Sequence, residues 1–364
     1  MSDPWSDTAA IVALSELDKM GPSRLHSVLA GRQPLAAVEA IRRGDVPERI
    51  PRALTVAWRG ALERFEPRAA DARLRDHDIE VTWLGTPGHP TFLRDDLAPA
   101  PVLFRRGRPI DETAPAVAIV GTRRASGVGR EIARELGLGL AEAGVTVVSG
   151  LALGIDGSAH EGALLADGAP PVAFVGGGVD VVYPKRHHDL WTRMVQHGTV
   201  AAEAPPGARP SPWRFPARNR LIAAAADIVV VVESRAAGGS LLTVDEAIRR
   251  DRQVMAVPGS LRNPAAAGTN ALLADGCAPV LSVDDVLTAL GLSRAAHAAR
   301  READPPTRTS EAASLVLSSC DDGPASIDEL VGRSRLPAGE VLAAVSELLV
   351  IGALVDDGAR VRRA

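Results

Sequence analysis

The chain has 364 residues, 46% of them hydrophobic, with a formal net charge of −4. That is enough apolar material for two or three domains, without the strong positive charge of a protein coated in nucleic acid. Two cysteines, Cys277 and Cys320, exclude a disulfide framework and a cysteine zinc site.

The N-terminus, MSDPWSDTAAIV, has acids and no basic n-region, so it is not a signal peptide. No stretch approaches the roughly 18 apolar residues of a membrane span, and the expected location is cytoplasmic. Lys19 and Lys185 are the only lysines, so the positive charge is almost entirely arginine. A GC-rich coding sequence would produce the same bias, which makes local runs more informative than totals.

Residues 1–75 read as a small helical domain. Apolar positions recur at helical spacing in AAIVALSEL, SRLHSVLAG and PRALTVAWRGALERF. The turn Met20-Gly21-Pro22-Ser23, followed by Arg24, is a short helix–hairpin–helix that could present amides to a phosphate, or an ordinary helical turn.

Residues 76–291 change texture. IEVTWLG reads as a strand and PGHPTFLRDDLAPAPVLFRRGRP as a proline-rich connection. Short apolar strands then alternate with helices: VAIVG, VTVVSG, PVAFVGGG, DIVVVVE and QVMAVPG. That alternation predicts an α/β fold whose core is a Rossmann-like, doubly wound parallel sheet. Residues 292–310, rich in Ala, Arg and Pro, read as a linker. Residues 311–364 read as three helices and a small hairpin, a winged-helix-like domain. Its third helix carries Glu340 and Glu347 but no Arg or Lys, which favours packing or partner docking at least as much as DNA reading.

Ligands of open α/β sheets lie beyond the carboxyl ends of the strands. The first such loop, Gly121-Thr122-Arg123-Arg124-Ala125-Ser126-Gly127, has neither the spacing of a dinucleotide fingerprint nor the lysine of a Walker loop. No redox or nucleotide cofactor is therefore expected. Two arginines beside a glycine turn suit a phosphodiester; a solvated turn would look the same.

Between Glu203 and Asp227 there is no acid, yet Arg209, Arg214, Arg218 and Arg220 occur, with Trp213 and Phe215 interleaved. Arginines that follow a backbone and aromatics that stack on bases are the ingredients of single-strand binding. A proline-rich loop whose aromatics cover the core edge fits the same composition. Asp156 and His160, one helical turn apart, read as structural: a cap and a packed histidine. No nucleophile–base–acid set and no metal triad is apparent, so neither catalytic nor metal residues are assigned.

The words VAIVGTRRAS, VVSGLALGIDGSAH, FPARNRLIA, GGSLLT and AVPGS followed by GTN, in this order, resemble the DprA/Smf family of DNA processing proteins. The likeness runs from about Val81 to Val286. It implies a Rossmann-like core that binds single-stranded DNA without a nucleotide cofactor, a homodimer, and the loading of RecA recombinase onto DNA in natural transformation. It also implies a DNA-facing pocket at Gly121, Thr122 and Arg123, then Ser149 and Gly150, then Phe215, Arg218, Asn219 and Arg220, then Gly239 and Ser240. Arg124 and Arg214 join that set on charge and neighbourhood. Members often carry a basic residue where this chain has Leu153, and Ser where it has Thr122.

An enzyme is the alternative. ESRAAGGSLLTVDEA is similar in part to the phosphate loop of nucleoside-monophosphate phosphoribohydrolases, with Glu246 at the place of the catalytic glutamate. The proline before the glycines is absent, and Leu242 replaces the glycine before Thr243.

Overall fold

The structure, a computed structural model, describes residues 5–292, 310–320, 323–350, 353–356 and 360–363. The chain divides into two compact units, Met1–Arg294 and Ala295–Ala364. Apart from its two end residues, the expected linker lies outside the described residues.

The first unit opens with five helices: α1 (Asp7–Glu16), α2 (Pro22–Leu29), α3 (Pro34–Arg43), α4 (Arg52–Arg64) and α5 (Pro67–Asp76). Three of them begin on a proline in the first turn, which fixes φ where no amide partner is needed. Strands β1 (Glu80–Trp83) and β2 (Val102–Gly107) follow, with the short helix α6 (Thr91–Arg94) between them.

The alternating portion then runs β3 (Ala116–Val120), α7 (Gly127–Glu142), β4 (Thr146–Ser149), α8 (Ile155–Ala163), β5 (Val172–Phe174), α9 (His188–His197) and β6 (Thr199–Ala202). It continues α10 (Arg214–Ala224), β7 (Ile228–Val231), α11 (Leu241–Arg249), β8 (Gln253–Ala256), α12 (Ala267–Ala274), β9 (Ala278–Pro279) and α13 (Val283–Ala289). All nine strands form one sheet in the order β1-β2-β6-β5-β4-β3-β7-β8-β9. From β6 to β9 every pairing is parallel.

The segment expected to be a plain connection instead contributes β2, antiparallel to both β1 and β6. Its apolar run is three residues long before Arg105 and Arg106, too short to stand out among prolines. Strand β6, built from Thr, Val and two alanines, gives no hydrophobic signal of its own. Helix α10 lies inside the arginine-rich segment for which a proline-rich loop is the alternative reading. Its proline falls at the third helical residue, where the missing amide costs nothing.

Both sheet faces are covered. Val117, Ile119, Val145 and Val147 pack against α7, α8 and α13. Their neighbours Ala118, Val120 and Val148 face the other way, against α10 and α11. This period of two is what a strand buried on both faces requires. The five N-terminal helices share one hydrophobic cluster with Phe104, Val200, Ala202 and the α9 residues Trp191 and Met194, so they extend the sheet's cover and are built into this unit.

The second unit carries helices α14 (Glu311–Ser318), α15 (Ile327–Ser334) and α16 (Ala338–Val350), and a hairpin of β10 (Leu354–Asp356) with β11 (Val361–Arg363). A capping box of Ser326 and Glu329 starts α15. Leu330, Val341, Leu348, Leu354 and Val361 form its core, the three helices and wing of a winged helix. Glu347 is committed locally: its carboxylate accepts from the Ser310 amide and hydroxyl at 3.0 and 2.7 Å. No helix among the described residues is long and apolar enough to cross a membrane.

Candidate nucleic-acid interface

Strand order reverses around β3. The chain moves from β3 through β4 and β5 to β6, then returns to lay β7 on the opposite side. A crevice opens where the loops after β3 and β7 part, the position at which open α/β sheets bind ligands. It is an open cleft of about 1260 Å³, walled by Gly121, Thr122, Arg123, Arg124, Asp156, Phe215, Arg218, Asn219, Arg235, Gly239 and Ser240, among others.

Glu233, just beyond β7, shapes the first loop. Its backbone carbonyl accepts from the Thr122 amide at 2.7 Å. Its carboxylate accepts from the Ser126 amide at 2.8 Å, the Ser126 hydroxyl at 2.7 Å and the Asn263 side-chain amide at 3.1 Å. Ser126 in turn caps α7 through the Gly129 amide. With its own hydrogen bonds spent on the loop, Glu233 holds Arg123 and Arg124 outward, and both are exposed.

The Arg123 guanidinium lies over the Phe215 ring, 4.7 Å from its centroid. Tyr183 packs beside that ring at 5.7 Å. A planar cation on an aromatic face is thus presented at the cleft wall, a surface on which a flat ligand can stack.

Arg218 forms the floor and is only 6% exposed. One guanidinium nitrogen donates to the Phe174 carbonyl at 2.8 Å, and Nε has no partner among the described residues. Burial lowers its pKa to about 10, opposed by the nearby Asp156 carboxylate, so it stays a cation at neutral pH. Burial raises the Asp156 pKa, with Arg218 and Arg123 pulling the other way. His160, fully buried behind them, has its pKa lowered to about 3, chiefly by burial and then by Arg218 and His187. It is neutral and takes no part in the cleft's charge.

Two glycines set the shape. A Cβ at Gly150 would lie 1.5 Å from an Arg218 nitrogen, so only glycine lets that guanidinium lie against the backbone. A Cβ at Gly239 would meet nothing within 4 Å, so its missing side chain leaves the wall open to a ligand rather than serving packing.

The structure therefore gathers nine expected residues around one cleft: Gly121, Thr122, Arg123, Arg124, Phe215, Arg218, Asn219, Gly239 and Ser240. Four others sit elsewhere. Ser149 is buried, and its hydroxyl donates to the Ile119 carbonyl at 2.6 Å. Gly150 acts through Arg218 rather than as a wall. Arg214 turns into a neighbouring cavity and packs over Trp213 at 5.2 Å. Arg220 is ion-paired with buried Glu203 and donates to the Ala98 carbonyl.

Leu153 lines a smaller apolar cavity with Tyr183 and Trp191, adjoining the cleft through Arg123 and Phe215. Sequence reasoning gave Asp156 only a capping role and passed over Glu233, Tyr183 and Arg235. The one legible signal for Glu233 was an acid ending the apolar run VVVV. Glu246 is absent from the cleft walls. It pairs with Arg249 and Arg250, and Arg250 also pairs with buried Asp96. That commitment removes the basis for a phosphoribohydrolase glutamate. No cluster of metal-binding side chains occurs among the described residues.

Fold and cleft together define a Rossmann-like α/β protein with a glycine-walled, arginine-floored cleft at its switch point. A family model described as DNA recombination-mediator protein A matches residues 80–291, and one described as the DprA winged helix domain matches 298–354. The putative DNA processing protein DprA of Mycobacterium tuberculosis (strain ATCC 25618 / H37Rv) is 42% identical over 252 residues, 67% of this chain and 63% of that relative. The chain thus spans less than two thirds of that relative's length.

The X-ray structure of DNA processing protein A from Streptococcus pneumoniae superposes with a TM-score of 0.65 at 28% identity, covering 78% of this chain and 98% of that one. The DNA processing protein A of Helicobacter pylori, whose structure addresses its single-stranded DNA binding mode, gives 0.52 at 27% identity over 58% of this chain and 95% of that one. The chain belongs to the DNA recombination-mediator protein A family, the DprA/Smf proteins.

Proposed function

We propose that the chain binds single-stranded DNA without regard to sequence, and passes the strand to a RecA-type recombinase in transformation or recombination. The observation that carries this reading is the cleft in which Arg123, Arg124 and Arg218 converge on an aromatic wall, beside a glycine loop open to close approach. Phosphates would lie on the arginines and on the backbone of Gly239 and Ser240. Bases would stack on the Arg123–Phe215 pair, each worth roughly 1–3 kcal/mol.

Family membership and the Helicobacter pylori relative support the choice of single-stranded DNA. The homodimer and the transfer to recombinase rest on family membership alone.

The test is fluorescence anisotropy with labelled oligo-dT and a matching duplex at several salt concentrations. Preference for the single strand is expected, with affinity falling steeply as salt rises. Arg123→Ala should weaken binding to all sequences alike and flatten the log–log salt slope by about 0.7, one single-strand phosphate contact. Salt-independent binding, or equal affinity for duplex, would sink the reading.

A further inference from the structure

We propose that a second groove, formed by the N-terminal hairpin, carries the bound single strand onward from the cleft. This extends the function proposed above and rests on it. The groove, about 1200 Å³, is lined by Lys19, Arg24, Arg49, Ser23, Gly21 and Trp213, among others.

Its charge is uncompensated. No acid lines it, and none of its three cations is paired with a carboxylate among the described residues. Arg24 donates to the Lys19 carbonyl at 2.5 Å and Arg49 to the Ser27 hydroxyl. Both acceptors are neutral, so the contacts orient the guanidinium groups without discharging them. All three cationic residues are exposed. The first turn of α2 opens on the same groove, and its N-cap, Gly21, has no side chain to occupy the free amides.

Trp213 stands at one end of this groove with 51% of its surface exposed, an unusual place for the largest apolar side chain. It rests against Gly21, 3.7 Å from where a Cβ would stand. The Arg214 guanidinium lies over the ring, 5.2 Å from its centroid, so one face is backed as a stacking platform requires.

Trp213 also gives the groove continuity with the cleft. It borders a narrow, mostly apolar crevice that Arg214, Arg218 and Glu203 also line, and Arg218 is the floor of the cleft. The Arg214 Nη1 atom is buried there without a partner among the described residues. The path from cleft to hairpin therefore runs Arg218, Arg214, Trp213, then Arg24, Lys19 and Arg49. Five cations and one aromatic lie along it, the groups that a single strand's phosphates and bases would meet. Arg214, which does not reach the cleft, acquires a role on this path.

The experiment compares oligo-dT of roughly 4 and roughly 16 nucleotides, the span of known single-strand site sizes, on the full chain. With Arg24→Ala/Arg49→Ala, the salt slope for the long oligonucleotide should fall by about 1.4, two contacts at about 0.7 each. The short one, held by the cleft alone, should keep its slope and affinity. Should that variant unfold, Lys19→Gln/Arg49→Gln removes two charges and leaves the Arg24 contact intact.

An unchanged slope on the long oligonucleotide overturns the groove and leaves the cleft standing. An equal loss on both lengths also overturns it, since general electrostatic attraction would then be the cause. Absence of wild-type binding at either length would remove the proposed function itself.

Discussion

Arg220 donates to the Glu203 carboxylate and to the Ala98 carbonyl, in surroundings where both charged side chains are largely buried. Removing one partner of such a pair strands the other charge, at a cost of about 3–5 kcal/mol. Arg220→Ala is therefore expected to destabilise the chain by about that amount, while leaving the cleft's arginines in place. Burial already pushes the Glu203 carboxyl up to about 7 from its ordinary 4.5, Arg220 acting against the rise. A carboxyl with a raised folded-state pKa holds its proton more tightly folded than unfolded, so it takes stability away as pH rises across that interval. The Arg220→Ala penalty should accordingly shrink at mildly acid pH, where Glu203 can be neutral, and be full at alkaline pH. Urea unfolding at both pH values checks it; a loss of DNA affinity without a loss of stability would show that Arg220 touches the ligand instead. Arg218, two residues earlier, has no such carboxylate partner at bonding distance among the described residues and keeps its charge for the cleft.

At the scale of elements, the loop after β3 is held by an acid from the next strand of the sheet. Glu233→Ala removes three side-chain hydrogen bonds to Ser126 and Asn263. It should free the Arg123–Arg124 turn without changing the charge of either arginine. The expected outcome is weaker single-strand binding with an unchanged salt slope, and faster hydrogen exchange at the Ser126 amide. A slope reduced as in Arg123→Ala would contradict a positioning role.

Such long-range clamps were not legible in the sequence, because nothing local marks an acid 107 positions from the serine it holds. The long apolar strands were legible, since a strand covered on both faces must be apolar at every position. The glycine and arginine loops were legible because strand ends place them. Strands β2 and β6 were not, being short and built from small or charged residues. The divergent fates of Arg214, Arg218 and Arg220 could not be read either. All three lie on α10, and only the packing of that helix against the sheet decides which of them meets the cleft.

At the scale of the molecule, two units with separate cores invite separate unfolding. All five tryptophans belong to the first unit, so their fluorescence reports that unit alone. Leu348 is fully buried in the second. Leu348→Ala should cost about 2–5 kcal/mol there, a large share of the stability of so small a unit. Circular dichroism should then show an early loss of helix, while the tryptophan transition stays where it was. A joint shift of both signals would mean that the units unfold together.

Strand β2 has a consequence for how the chain is made. It pairs with β6, Phe104 opposite Ala202, and the N-terminal helices bury their apolar faces against side chains from α9 and β6. During synthesis those helices precede the rest of this unit, and their docking surface on α9 and β6 is still untranslated for more than a hundred residues. At about 5–20 residues per second they wait several seconds with their apolar faces uncovered. The helices made before the sheet are thus among the last to reach their place, and a pause in translation before β6 would lengthen the interval in which they can aggregate.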